Sequence, residues 1–364
     1  MYRKIEEYLK NYFSSKEEKI LVIDGARQVG KTYIIEKIGK EYYPNFISIN
    51  LDADNKGDKV FEDVKTCDDF YIQLSALYGN KLNTRDDTLI FIDEISIYPQ
   101  FFSLLKQLRI DNKYRYICSG SLLGIELLKT GLTPMGSIIR KEMYPMDFEE
   151  FLIANNFGKD AIEHVRQSYE NKTSLNESLH NTLLNYFLTY LYVGGLPDAV
   201  KSYVEEKNVF KIKEIQKDIY DFYSDDAAKY DLENRLKIKR IYEMMISSID
   251  NKVKRIKYSD INDNKKDSFS NYAEEFDYLI NSGIALACNA VSEPKFPLAQ
   301  SSVKNLIKLY MNDVGLLSYL LYRNNINAIL KSKTGVNLGA IYETVVSQEL
   351  KAHGHDLFYY DRRK

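Results

Sequence analysis

Residues Leu21 to Ile38, LVIDGARQVGKTYIIEKI, constrain this chain more than any other stretch. Ile20 to Ile23 are apolar or β-forming and lead into a loop bounded by Gly25 and Gly30 that closes on Lys31 and Thr32. Tyr33, Ile34, Ile35 and Ile38 then recur about one turn apart, so the pattern predicts strand, loop, helix. In that setting G-x-x-x-x-G-K-[ST] acquires physical meaning. Gly25 and Gly30 reach backbone angles closed to other residues, so successive N–H groups from Gly25 through Ala26, Arg27, Gln28 and Val29 to Gly30 can curl around phosphate oxygens. The free amides at the start of the helix, from Lys31 to Tyr33, and its positive end face the same anion. Lys31 supplies a point charge toward the β- and γ-phosphates, and Thr32 offers a hydroxyl to magnesium. A bare glycine turn is the bland alternative. The flanking strand and helix favour a nucleotide site.

A second stretch, TLIFIDEI (Thr88–Ile95), runs five β-favouring residues into two acids. A continuous apolar strand is buried on both faces, as in a parallel sheet under helices. Its C-terminal edge is where an open α/β sheet places ligands. Asp93 is therefore expected to hold magnesium opposite Thr32. Glu94 follows it, and in phosphate-loop proteins with an extra central strand a glutamate here polarises the attacking water. This pair of acids favours an ATPase over a small-molecule phosphotransferase. YRYICSGSLLG (Tyr114–Gly124) reads as a further strand whose polar end, Ser119, is expected to reach the γ-phosphate or the water. The alternative for that turn is a simple helix start capped by Ser121.

Composition limits the remaining choices. With 364 residues the chain is long enough for two or three domains. A net charge of −2 carries no global nucleic-acid signature, so any such surface is local. Cys67, Cys118 and Cys288 lie far apart without C-x-x-C spacing, which suggests neither zinc nor a disulfide framework. The N-terminus is amphipathic and charged rather than a signal peptide, and no run approaches the ~20 apolar residues of a membrane span. A cytoplasmic setting without membrane contact is expected.

Residues 3–13 read as a short helix, Phe46–Asp52 as a second strand, Phe61–Tyr78 as helical, Pro99–Ile110 as a helix and Ile138–Tyr144 as a further strand. From Asp147 onward helical periodicity dominates. Leu183–Val193 is apolar on most sides and expected to be buried, and Gly194-Gly195-Leu196-Pro197 then breaks the helix. Lys211, Lys213, Lys217, Arg235, Lys237, Lys239, Arg240, Lys252, Lys254, Arg255 and Lys257 are spaced to form a basic face, which is either a solvated surface or one that meets a phosphate backbone.

GARQVGKT, LIFIDEI, CSGSLLG, YPMDFEEFL, GGLPDAV (Gly194–Val200), DIYDFYSDDAAKY (Asp218–Tyr230) and KLYMNDVGLLSYL (Lys308–Leu320) stand in this order. In these motifs the chain resembles the AAA+ superfamily ATPases that carry a C-terminal domain of unknown function. The resemblance implies an α/β phosphate-loop domain, a parallel sheet flanked by helices, over 1–155. A helical lid (156–203) and a helical, winged-helix-like domain (204–330) follow, with the latter's short helices and strand pair over Lys254–Val291. Residues 331–364 resemble the start of a truncated nuclease-like domain whose strand, near Leu357–Tyr360, would present an unpaired edge. ATP and Mg²⁺ are the implied cofactors, with DNA and a second copy of the chain as possible partners. Gly124–Ser137 contains no arginine where an arginine finger is expected, so Arg140 is the nearest candidate and Arg115 another. Three activities fit this reading: ATP hydrolysis, a nucleotide-gated switch with negligible turnover, and phosphate transfer to a small acceptor.

Overall fold

The computed structural model describes residues 1–121, 136–230, 235–249, 255–262, 266–322 and 338–360. Leu122–Gly124 of the CSGSLLG motif, most of the finger segment, Lys252, Lys254 and the last four residues fall outside these ranges. The chain divides into two units, one from Arg3 to Met143 and one formed by Met1–Tyr2 with Tyr144–Lys364.

The first unit is an α/β layer structure. Strands β1 (Ile20–Asp24), β2 (Asn45–Asn50), β3 (Thr88–Asp93), β4 (Arg115–Gly120) and β5 (Ile138–Glu142) form one sheet in the order β2-β3-β4-β1-β5. Every pairing is parallel. β1, β3 and β4 are buried along their whole length, as continuous apolar runs require. Helices α1 (Ile5–Ser14), α2 (Lys31–Tyr42), α3 (Leu51–Lys56), α4 (Cys67–Tyr78) and α5 (Gln100–Asp111) complete the unit. α2 turns Ile34, Ile35 and Ile38 inward, while Phe70, Leu74, Phe101, Phe102 and Leu105 of α4 and α5 join the core with Ile90 and Cys118. Cys118 is thus a small apolar core residue. The sequence reading of a helix over Phe61–Tyr78 is corrected: Phe61 and Val64 are buried, but the helix starts at Cys67. Thr66 accepts from the Asp69 N–H and Asp69 from the Thr66 N–H, a reciprocal cap that fixes the start there.

The second unit is mostly helical. Its long helices are Glu177–Val193, Val209–Tyr230 and Arg235–Ile249, joined by the shorter Phe148–Ala154, Lys159–Glu170, Pro197–Glu206, Ala273–Asn281, Val314–Tyr322 and Gly339–Ala352. Only the last turn of Glu177–Val193 is buried. The expectation for Leu183–Val193 therefore holds from Tyr190 onward, and Leu184 is exposed.

A three-stranded sheet belongs to the same unit: β6 (Ala285–Val291) lies between antiparallel β7 (Ser302–Met311) and parallel β8 (Leu357–Tyr360). The sequence reading left the last strand with an open edge. Pairing of Cys288 through Val291 with Leu357 through Tyr360 satisfies one side of it instead.

The breakpoint at Gly194-Gly195 is the tightest place in this unit. Gly194 has φ +76°, and a Cβ there would overlap the carboxylate of Asp313. The Gly195 N–H donates to Asp313 Oδ2 at 2.6 Å, its carbonyl accepts from the Met146 N–H at 2.7 Å, and a Cβ on it would overlap the Met146 carbonyl. Asp313 is fully buried, and burial pushes its carboxyl up to about 6 despite hydrogen bonds from the N–H groups of Gly195, Leu196, Gly315 and Leu316. From the C-terminal helix, Glu349 accepts from the Phe148 N–H at 2.9 Å, and Gln348 donates to Tyr190 at 2.8 Å. Burial, and then the nearby Asp147, lift Glu349 to about 7.

Several basic residues of the predicted face are engaged. Lys211 pairs with Glu206, Lys217 with Asp221 at 3.0 Å and Lys237 with Glu275 at 3.4 Å, while Arg240 donates to the Ile261 carbonyl at 2.9 Å. Among the described residues no helix is long and apolar enough to cross a membrane.

Candidate nucleotide site

The register of the first sheet decides which side chains meet. Asn50 lies across from Asp93 in the β2–β3 pair, and Ile23 across from Ser119 in the β1–β4 pair. Parallel strands end together, so the last residues of β1, β2, β3 and β4 share one edge.

The loop between β1 and α2 meets that edge. Gly25 and Gly30 take φ +146° and +92°, and Gln28 joins them at +63°. A Cβ on Gly25 would overlap the Met143 carbonyl, so the glycine is required by space as well as by backbone angle. Val29 and Ala26 are buried, which anchors the loop while Gln28 stays exposed. The Val29 carbonyl accepts from Arg3 at 2.8 Å. Lys31 is buried and turned into its own loop, where Nζ donates to the carbonyls of Gly25 at 2.8 Å and Ala26 at 2.9 Å. Burial pulls its pKa down, and the carboxylates of Glu94, Asp24 and Asp93 pull it back up.

Asp93 is buried and collects three neutral donors. Thr32 Oγ1 donates to Oδ2 at 2.9 Å, Asn50 Nδ2 to the same oxygen at 3.2 Å, and Ser119 Oγ to Oδ1. Sequence reasoning brought together Thr32, Asp93 and Ser119 and missed Asn50. A lone polar residue at a strand end is uninformative until the strand register is known. Asn50 has a second task, capping α3 by accepting from the Ala53 N–H at 2.8 Å.

Glu94 sits just past β3 with φ +55°, a backbone region unusual for a side chain of its size. Ser121 Oγ donates to its Oε2 at 3.2 Å, and Arg27 Nη2 stands 4.0 Å from the same oxygen. Burial raises its pKa, opposed first by Lys31 and then by Arg27. Ser121, which the alternative for this turn makes a helix cap, donates its hydroxyl to that carboxylate. Tyr33 is exposed on the first turn of α2, while Thr32 turns to Asp93.

Both arginines offered as a finger make contacts within this unit. Arg140 donates to Asp24, a buried acid, and lies 3.8 Å from Glu142. Burial raises the Asp24 pKa, and Arg140 is the main opposing influence, so presenting Arg140 elsewhere would strand a buried carboxylate. Arg115 is buried at the opposite end of β4 and donates to the carbonyls of Tyr12 at 3.1 Å, Ser15 at 3.4 Å and Glu17. It is a structural clamp.

Residues 17–152 match the family described as AAA domain, and residues 184–327 match a domain of unknown function. No curated protein matches the chain. Among solved structures, the Walker-type ATPase PABY2304 of Pyrococcus abyssi superposes with a TM-score of 0.51 at 14% identity, covering 88% of this chain and 95% of that one. At that identity the likeness concerns the fold alone. Looser similarity extends to ORC1 of Aeropyrum pernix in complex with DNA, at TM-score 0.35 and 11% identity over 92% of this chain and 93% of that one. AMPPCP-bound DnaA of Aquifex aeolicus follows at TM-score 0.29 and 14% identity, over 71% and 73%.

Proposed function

We infer that the first unit, which carries the match to the AAA domain family over residues 17–152, binds ATP at Gly25–Thr32 and hydrolyses it to ADP and phosphate. The observation that carries this reading is the meeting of Thr32, Asp93 and Ser119 at one sheet edge, beside a loop whose glycines hold positive φ.

Binding asks Lys31 to exchange the carbonyls of Gly25 and Ala26 for phosphate oxygens, a swap of neutral acceptors for charged ones. The curled backbone offers its amides to the same oxygens. The buried Asp93 carboxylate beside the Thr32 and Ser119 hydroxyl oxygens is an oxygen set suited to a small hard cation, with Asp93 and Thr32 as the holding residues. Bound there, Mg²⁺ would neutralise charge developing on the phosphate oxygens. Ser119, released from Asp93, would donate its hydroxyl to the γ-phosphate. Glu94 orients the attacking water and accepts its proton as the γ-phosphoryl group departs.

Replacing Glu94 by Gln tests the reading: ATP binding by calorimetry should persist while phosphate release stops. Release at the wild-type rate would remove Glu94 from this role. A second reading, a nucleotide-gated switch with negligible turnover, is favoured by the engagement of Arg140 with Asp24 and of Arg115 with α1. Phosphate release followed over hours separates the two.

A further inference from the structure

We propose that the side chain of Arg27, working with Ser121, is the positioning element for Glu94 and so governs the rate of hydrolysis rather than the affinity for nucleotide. This rests on the hydrolase reading above and assigns a regulator of the same site.

Three separate pieces of chain converge on a single oxygen. Arg27 comes from the phosphate loop, Ser121 from the residue after β4, and Glu94 from the turn after β3. Arg27 Nε donates to Ser121 Oγ at 3.3 Å, Ser121 Oγ donates to Glu94 Oε2 at 3.2 Å, and Arg27 Nη2 lies 4.0 Å from that same Oε2. Both members of the ion pair are mostly shielded, at 21% and 16% side-chain exposure, so the pair is less screened than a surface pair. Among the described residues, Glu94 Oε1 has no hydrogen-bond partner. One oxygen is therefore held and the other is left to accept from a water.

The backbone points the same way. A non-glycine residue at φ +55° carries local strain and persists only where its surroundings fix it. Two other charged groups face Glu94, and each has its own partners. Lys31 is bound by the Gly25 and Ala26 carbonyls, and Asp93 by Thr32, Asn50 and Ser119. Arg27 alone of these reaches Glu94 through a bridging hydroxyl. The loop that receives the phosphates thus also carries the group that aims the water-orienting carboxylate. A backbone shift on ATP binding would be passed to Glu94 through that bridge.

The test is steady-state phosphate release with Mg²⁺ and ATP, paired with ATP calorimetry, on wild type, R27Q, R27K, S121A, E94Q and R27Q/E94Q. R27Q should lower kcat about tenfold or more, the scale expected when a catalytic group is misplaced by a fraction of an ångström to 1 Å. Its ATP affinity should stay within about twofold, R27K should recover part of the rate, and S121A should give a smaller fall. In the E94Q background R27Q should add nothing, because both changes act through one carboxylate. R27Q at the wild-type rate beside an inactive E94Q overturns this inference and leaves the hydrolase reading standing. A loss of affinity that accounts for the whole effect overturns it in favour of a direct phosphate contact. E94Q as active as wild type overturns the hydrolase reading and this inference with it. Should R27Q fail to fold, S121A decides, and unchanged turnover in S121A overturns the proposal.

Discussion

The two units use the same pair of devices, a left-handed glycine turn and a buried carboxylate, to opposite ends. In the first, Gly25 and Gly30 bend a loop beside Asp93, whose partners are neutral side-chain donors. In the second, Gly194 and Gly195 bend a loop onto Asp313, and the chain's own amides take up the carboxylate. An acid satisfied by side chains can be re-partnered at the cost of rotamer changes. An acid satisfied by backbone N–H groups cannot be released without moving the chain. The difference separates a carboxylate open to new partners from one locked in a joint, although both read in the sequence as glycines with an acid elsewhere.

Substitutions at matched positions can break this contrast. Lys31→Ala should weaken ATP binding by about a hundredfold or more, as loss of a charged phosphate contact implies, with the thermal midpoint nearly unchanged. Retained affinity by calorimetry would mean that the first glycine turn is no more a ligand site than the second. Gly195→Ala should do the reverse, because its new methyl meets the Met146 carbonyl. A loss of about 3–5 kcal/mol is expected in urea unfolding, with ATP affinity intact in whatever fraction folds. Asp313→Asn sharpens the point through pH. Asp313 holds its proton up to about 6 in the folded chain against an ordinary 3.8, so the folded state binds a proton that the unfolded state gives up. Its contribution is full below about pH 4 and is lost as pH rises through 6, a change of up to about 3 kcal/mol. Asn at this position should flatten that part of the stability profile, measured as the urea midpoint from pH 4 to 7. Smallest of all, duplex DNA should change turnover by less than about twofold at 0.15 M salt, since surface ion pairs already occupy Lys211, Lys217 and Lys237. A larger, salt-sensitive stimulation would make the second unit a nucleic-acid surface.

The site was legible where one-dimensional pattern and chemistry coincide. The apolar run Leu89–Ile92 could only be a doubly covered strand, so Asp93 and Glu94 had to emerge at its carboxyl end. Thr32 followed from the glycine-loop motif at the start of α2, and Ser119 from strand ends that line up in a parallel sheet. Asn50 and Ser121 were hidden because their roles depend on strand register and on a turn after β4, neither of which has a periodic signature. The contact of Arg140 with Asp24 was hidden for a related reason: the two lie 116 positions apart and are brought together by the β1–β5 pairing. The helical unit was legible in element type but not in contacts. Nothing in GGLP or NDVG announces that the two clasp, and the pairing of β8 with β6 depends on a sheet assembled from distant stretches.

The clasp between Phe148 and Glu349 spans 201 positions, and that between Met146 and Gln348 spans 202. During synthesis, everything the first unit needs has been translated by Met143. Met146, by contrast, meets Tyr190 and Gly195 within about fifty positions, while its contact with Gln348 and that of Phe148 with Glu349 wait for about two hundred further residues. Met146 is therefore held in two stages, first by the Gly195 turn and only later by the helix Gly339–Ala352, which ties the order of assembly to the order of the chain.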